Sequence, residues 1–469
     1  MTARPREEFR RLGRSTRAYR DDVKLSVPQA LSAAPTVRRD LIGAGAAVVL
    51  VAVAFVVPLV ASEEWRGTLV AHTAPIFGFW EPHLGWGSGP ALAIAVLVIG
   101  FGPRIAAQAS WRMLCAATYL GALGWAIALA LIDGWERGFV RRLTDSNEYL
   151  AEVDGVNDIP AMLRGFSDRI LDFRPDSWTT HVSGHPPGAL LSFVWLDRIG
   201  LSGGAWAGTF CVVVGCSASV AVLVAVRALG SEALARSCAP FLVLAPAAVW
   251  IAVSADAMFA GVTAWAIALL AVAATRQGRG AVWIAAAAGI GFGFGIYLNY
   301  GMVLMGVPAV FVLVATRNVR PLLPALGGAL IVAAVFTASG FWWLDGYHLV
   351  VERYYQGIAS LRPYSYWVWG NLAAVVCATG LAVPAALHRL PANRFGGNGV
   401  PMLVAGMLCA IVLADLSGLS KAETERIWLP FTIWLFAACA LLPERHARRW
   451  LVVQAAGTLV LVHLIFTNW

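Results

Sequence analysis

Charge is the first thing this chain lacks. Asp, Glu, Lys and Arg make up 13% of its 469 residues, about half the fraction usual in a soluble globular domain. A soluble fold is excluded on that ground. Nucleic-acid binding is not suggested either: the net charge is +8, but no basic patch is interleaved with exposed aromatics. A hydrophobic leader is missing as well. Residues 1–40 carry Arg4, Arg6, Arg10, Arg11, Arg14, Arg17 and Arg20 and no apolar run. They read as a cytoplasmic basic tail, not a signal peptide. The seven cysteines fall within or beside apolar runs, without the spacing of a zinc site or a disulfide framework. They read as small hydrophobes. No linker or low-complexity stretch divides the remainder, so 41–469 is expected to be one integral membrane domain.

Apolar runs are abundant instead. Hydrophobic residues reach 59%, and runs of roughly 15–22 residues recur along the chain. Barrel strands would alternate. The expected fold is an all-α polytopic membrane protein of about 13 transmembrane helices. These fall at 41–62, 89–103, 112–133, 203–227, 237–254, 256–275, 281–297, 300–316, 322–340, 367–388, 400–415, 427–442 and 450–466. Lys and Arg in short loops mark the inner face: the N-terminal tail, Arg104, Arg227, Arg236, Arg276, Arg279, Arg317, Arg320, Arg389, Arg394, Arg445, Arg448 and Arg449.

That orientation creates a parity constraint. Counting forward puts 134–185 outside, and counting back from the C-terminal loops puts residue 202 outside too. The stretch between them, "HPPGALLSFVWLDRIG", therefore cannot cross. It is about 15 residues long, with Asp197 and Arg198 near its end, where a span needs about 20. We expect an outer-face interfacial or re-entrant helix at 186–200, with Pro186 and Pro187 at its start, where proline is tolerated. Residues 134–202 form the large outer loop.

The chemistry-bearing residues gather on this outer side. Asp145, Glu148 and Glu152 in "TDSNEYLAE" are three and four apart and would share one helix face. Like charges so placed repel, and one pKa can rise, which suits a general base. A solvated acidic loop is the plainer reading. His181 and His185 have the i,i+4 spacing of metal ligands on a helix, but no third ligand is in register. Hydrogen bonding to a phosphate or sugar fits them better, and so does capping the Pro-Pro corner. Asp256 in "SADAMF" sits at an outer helix end, where an ionisable group is a functional candidate or an N-cap. Lys421 and Arg426 in "SKAETERIWLPF" are outer-face cations suited to a lipid-linked phosphate, or else members of a weak surface pair with the neighbouring glutamates. The stretch 341–371 carries four Trp and five Tyr, an aromatic belt that, with His348 and nearby charges, also suits stacking on sugar rings. Tyr300 in "YLNYG" is placed to line a cavity.

The order of these motifs resembles the GT-C superfamily of polyprenyl-phosphate-sugar-dependent glycosyltransferases, nearest to the protein O-mannosyltransferases and aminoarabinose transferases. "DSNEYL" stands where that family has its acidic pair, "HPPG" where it has a His/Lys-Pro-Pro corner, and "ETERIWLP" where it has a Glu-x-Arg-Tyr stretch. Here the acidic residues are separated by two positions, and the first two spans are additional. The resemblance implies transfer of a sugar from a polyprenyl-phosphate donor to a hydroxyl of a glycan or protein acceptor. It would occur with inversion at the extracytoplasmic face of a bacterial plasma membrane. Asp145, then Glu148, would be the base. His181, His185, Asp256, Tyr300, His348, Lys421 and Arg426 would bind substrate, with no cofactor and no metal. A transporter or flippase of a lipid-linked sugar is the rival reading. It would need charged or broken helices at the midplane of two matching halves, and few mid-span charges are present. A non-catalytic membrane scaffold is the third.

Overall fold

The computed structural model describes residues 37–393 and 397–468. The expected tail at 1–40 therefore lies largely outside the described residues. The chain is about three-quarters helical with almost no sheet. The main helices are α1 (Val37–Val60), α2 (Ser88–Gln108), α3 (Trp111–Ala130), α4 (Pro187–Arg198), α5 (Gly204–Leu229), α6 (Glu232–Val243) and α7 (Ala255–Thr275). There follow α8 (Arg279–Leu298), α9 (Gly306–Thr316), α10 (Leu322–Ala338), α11 (Trp343–Gln356), α12 (Tyr364–Thr379), α13 (Val400–Leu416) and α14 (Glu444–Leu464). Two short antiparallel strands, β1 (Gly78–Trp80) and β2 (Ile465–Thr467), pair Phe79 with Phe466.

Among the described residues, six helices are long and apolar enough to cross a membrane: α1, α2, α3, α5, α7 and α8. A seventh arises if α10 and α11, bent by 77° at their break, count as one. Shorter apolar helices cover 300–316, 400–416 and 429–441. The outer flanks of this bundle are apolar and uncovered: Leu59 of α1 is 70% exposed and Leu323 of α10 77%. Such surface is stable only against lipid. The chain is a multi-pass membrane protein.

Several expected spans are interrupted. The run 237–254 breaks after α6 at "LAPA", where Pro246 cannot continue a helix. The carbonyls freed there are buried and find partners on neighbouring helices. Gln454 of α14 donates to Phe241 and Leu244, both at 2.9 Å, and the Trp125 indole of α3 donates to Ala245 at 3.2 Å. Irregular backbone at such depth needs this satisfaction. The run 367–388 likewise splits at Gly380, whose φ of +69° favours glycine. The run 89–103 is instead longer than expected and extends to Gln108.

The central packing runs α5 on α7, α7 on α8 and α8 on α10. α4 begins at Pro187 and buries Pro187 through Val194. Gly188 lets it approach α8, since a Cβ there would stand 2.5 Å from the Tyr297 carbonyl oxygen. This contact anchors the His-Pro-Pro corner on the bundle.

Candidate active site

A cavity of about 1020 Å³ opens at the end of the bundle where these segments meet. One wall is apolar, with Met302, Val303, Leu304, Leu413, Ile427 and Phe431. The other carries Asp145, Asn147, His181, His185, Tyr300, Lys421, Glu423 and Arg426. Residues from five separate sequence stretches thus converge on one space.

Asp145, Glu148 and Glu152 do not share a helix face. Residues 144–149 form turns, and helix resumes only at Leu150–Val153. The three carboxylates consequently part. Asp145 is exposed on the cavity wall. Glu148, 3% exposed, points inward to the His181 ring, with Oε1 at 3.2 Å from Nδ1. Glu152 turns to Arg169 at 3.3 Å and the Thr179 N–H at 2.9 Å.

Burial pushes the Glu148 carboxyl up to about 8, against a pull from Arg426. Burial pushes His181 down to about 3, helped by Arg426, and lowers His185 as well. At neutral pH the Glu148–His181 contact is therefore a hydrogen bond between neutral groups. The His181 Nδ1 also faces the Asn147 carbonyl at 3.0 Å, which only accepts, so Nδ1 carries the proton. His185 is fixed the same way: its Nδ1 donates to the His181 carbonyl at 2.7 Å, with the Tyr149 hydroxyl at 2.9 Å. Both imidazoles are neutral, with Nε2 as acceptor. Neither neutralises an anion. Among the described residues no group of three His, Cys, Asp or Glu is arranged to hold a metal ion.

Asp256 and Arg426 are not surface groups. Asp256, in the first turn of α7, is 1% exposed, and Arg426 is 4% exposed. Arg426 donates to Asp256 Oδ2 at 2.6 Å and to Glu423 Oε2 at 3.0 Å. Arg362 donates to Glu423 Oε1 at 3.1 Å and to the carbonyls of Lys421 and Val70. Burial alone would pull Arg426 down, but Asp256 and Glu423 outweigh it and hold it charged. Burial would likewise push Glu423 up, yet Arg362 and Arg426 keep it below the usual carboxylate range. Ala422 and Glu423 adopt φ of +69° and +61°, a conformation that costs a non-glycine roughly 1–2 kcal/mol. The two arginines and Asn371, which accepts the Ala422 N–H at 3.3 Å, hold the chain there.

Counting charge leaves two cavity groups outside the ion pairs, Asp145 and Lys421. Arg362 and Arg426 are matched by Glu423 and Asp256. Glu148 is mostly protonated at pH 7, and burial pushes Glu425 up to about 7. Lys421 remains, its Nζ donating to the Ala359 carbonyl at 3.0 Å and lying 5.4 Å from the Tyr355 ring centre. It lines the cavity and is the only lysine beyond Lys24. Burial, then Arg362, lowers its pKa.

Tyr300 lines the cavity beside Tyr347, which stacks on Trp343 at 5.3 Å. His348, on the same helix, is exposed and is not among the cavity-lining residues. Asp256 and Glu148 sit behind the wall rather than on it. The sequence reading missed Arg137, Arg141 and Arg142, which all line the cavity. Arg137 forms a two-pronged pair with Glu81 at 2.6 Å, and Arg142 reaches Asp133 at 2.7 Å and the Thr467 carbonyl. Three arginines in a loop placed outside run against the positive-inside trend, a signal already present in "WERGFVRRL".

No family model matches this chain, and no curated protein does. Solved structures do. ArnT from Cupriavidus metallidurans in the apo state shares 16% identity over 72% of this chain and 61% of that one, at a TM-score of 0.44. The Archaeoglobus fulgidus oligosaccharyltransferase shares 14% over 75% and 52%, at 0.43. AglB from the same organism, in complex with an inhibitory peptide and a dolichol-phosphate, shares 12% over 76% and 56%, at 0.37. The chain spans roughly half to three-fifths of the length of these structures.

Proposed function

We propose that the protein transfers a sugar from a polyprenyl-phosphate donor to an acceptor hydroxyl, with inversion, from the outer face of a bacterial plasma membrane. The observation that carries this reading is the composition of the cavity. The carboxylate of Asp145, two neutral imidazoles, Lys421 and several paired arginines line a single space together with apolar side chains. An amphiphile with a phosphate at its polar end needs such surroundings.

In this reading Asp145 takes the proton of the acceptor hydroxyl. The freed oxygen attacks the anomeric carbon, and the bond from that carbon to the phosphate oxygen breaks. The electron pair leaves with the lipid phosphate, whose growing charge Lys421 neutralises, with Arg426 and Arg362 behind it. His181 and His185 accept hydrogen bonds from sugar hydroxyls. Tyr300 and Tyr347 offer stacking surface. Asp256 and Glu423 hold Arg426. Glu148, protonated, keeps the His181 ring in place, so Asp145 is the better base of the two.

The topology belongs to the same proposal: about 13 crossings, the N-terminus cytoplasmic, one membrane domain over 41–469, and α4 lying at the outer surface without crossing. The motif order supports it, and so does the short length of α4, 12 residues where a crossing helix needs about 20.

The test uses purified protein, radiolabelled polyprenyl-phosphate sugars (mannose, glucose, arabinose, galactose) and a membrane extract as acceptor. Wild type should transfer one of them. Asp145→Asn should bind the donor yet lose roughly 10²–10⁴-fold in rate, the range of a general base. Donor binding without turnover in wild type would favour a transporter of the lipid-linked sugar.

A further inference from the structure

Asn147 ties together the two sequence motifs that form the polar wall. Its backbone N–H and its side-chain Nδ2 both donate to Asp145 Oδ1, at 2.9 and 3.0 Å. Its Oδ1 accepts from the Thr180 hydroxyl at 3.2 Å. Its carbonyl accepts from the His181 backbone N–H and faces the His181 Nδ1, each at 3.0 Å. One residue therefore touches the carboxylate, the start of the histidine turn and the first imidazole.

The pattern is asymmetric on Asp145. Oδ1 receives two N–H groups, while among the described residues nothing donates to Oδ2. A carboxylate held by one oxygen keeps its plane fixed and presents the other oxygen as the proton acceptor. Only an amide on a short stem meets both demands, donating to Asp145 while accepting from Thr180. Aspartate cannot donate, and alanine can do neither. The contacts are exposed at the cavity wall, so they strengthen when donor and acceptor displace water.

We infer that Asn147 is a positioning residue that orients Asp145 for proton abstraction and locks it to the His181 turn. The inference rests on the glycosyl-transfer reading above and goes beyond it in naming what aims the base.

The experiment compares wild type, Asp145→Asn, Asn147→Asp, Asn147→Ala and Asn147→Gln in the transfer assay, with thermal melting of each in detergent. Asn147→Asp keeps the size, the backbone donor and an oxygen for Thr180, but loses the donation to Asp145 and adds a like charge beside it, so Asn147→Ala, which adds no charge, reads the lost side-chain contacts by themselves. The expected result is a kcat lower by about ten- to a hundredfold in Asn147→Asp and Asn147→Ala, as for loss of one charge-assisted contact. The donor KM should stay within about twofold and melting should stay unchanged in Asn147→Asp, with part of the rate recovered in Asn147→Gln. A wild-type kcat in Asn147→Asp overturns the inference even where Asp145→Asn is dead. Failure of wild type to transfer any sugar overturns the underlying reading instead, and an active Asp145→Asn overturns the choice of base; either removes this role for Asn147.

Discussion

Two of the buried charged clusters in this molecule, around Asp40 and around Arg426, are built differently. At the start of α1, Asp40 is 0% exposed and both its oxygens are taken: His388 at 2.7 Å, and Arg389 through Nε at 3.0 Å and Nη2 at 2.7 and 2.8 Å. The other cluster is centred on Arg426. There the charges are also paired, but the accounts stay open. Asp256 Oδ1 and Glu425 Oε2 are buried without a hydrogen-bond partner, the chain at Ala422–Glu423 is left-handed, and a lysine outside the ion pairs stands on a cavity. The Asp40 cluster has both carboxylate oxygens bonded, leaves the His388 Nδ1 without a partner, contributes no residue to the cavity lining, and fastens α1 to residues 388–389. The Arg426 cluster has unmet demand and faces a space that a ligand can enter. A buried ion pair alone is weak grounds for function; incomplete satisfaction beside a cavity is stronger.

Removing one arginine from each cluster gives the largest contrast. Arg389→Met and Arg426→Met each strand a buried carboxylate, and each should cost about 3–5 kcal/mol of stability, read as a lowered melting temperature in detergent. Activity per folded molecule should separate them. Arg389→Met keeps its kcat, while Arg426→Met loses it, because Glu423 loses one of its two arginines and a cation disappears from behind Lys421. Equal loss of kcat in both would erase the distinction between the clusters.

Lys421→Ala comes next. It should raise the donor KM by roughly ten- to a hundredfold, the loss of one charged contact to phosphate, with melting little changed. An unaltered KM would mean that the paired arginines hold the phosphate without it.

Glu148 gives a smaller, pH-dependent effect. Its carboxyl rises from 4.5 in the unfolded chain to about 8 in the fold. The folded protein then binds the extra proton between those values. The stability it contributes is complete below about 4.5 and is lost as pH rises through about 8. Glu148→Gln resembles the protonated form, so its melting temperature should fall less than that of wild type from pH 5 to 9. An identical slope would show that this carboxyl titrates as an ordinary one.

The apolar runs made the helical membrane architecture legible, because lipid contact imposes composition on whole segments. Motif order singled out Asp145, His185, Lys421 and Arg426, which the fold brings to one cavity. What sequence spacing did not carry was orientation within turns. Asp145 and Glu148 looked equivalent because i,i+3 spacing was read as helical; the turn at 144–149 sends one to the cavity and the other behind it. Asp256 and Arg426, 170 residues apart, gave no local sign of being one pair. The arginines at 137, 141 and 142 were readable, since the same rule that flagged Lys421 applied to them. The breaks at Pro246 and Gly380 were signalled by residue type, but their tolerance depends on Gln454 and Trp125, which only the fold brings near.

His348 offers the finest test of the comparison, because it shares helix α11 with groups that do face the cavity. Tyr347, Val350, Val351, Arg353 and Tyr354 line it, whereas His348 is exposed on the other side. Helical geometry decides this, since one position turns a side chain by about 100°. Its sequence context, amid tyrosines and tryptophans, suggested sugar contact all the same. His348→Ala should therefore change kcat and donor KM by less than about twofold, as for a surface substitution. Tyr347→Ala should lower turnover more, because its ring stacks on Trp343 and faces the cavity. A large effect of His348→Ala with none from Tyr347→Ala would mean that α11 rotates or shifts when substrate binds, bringing its exposed face to the donor.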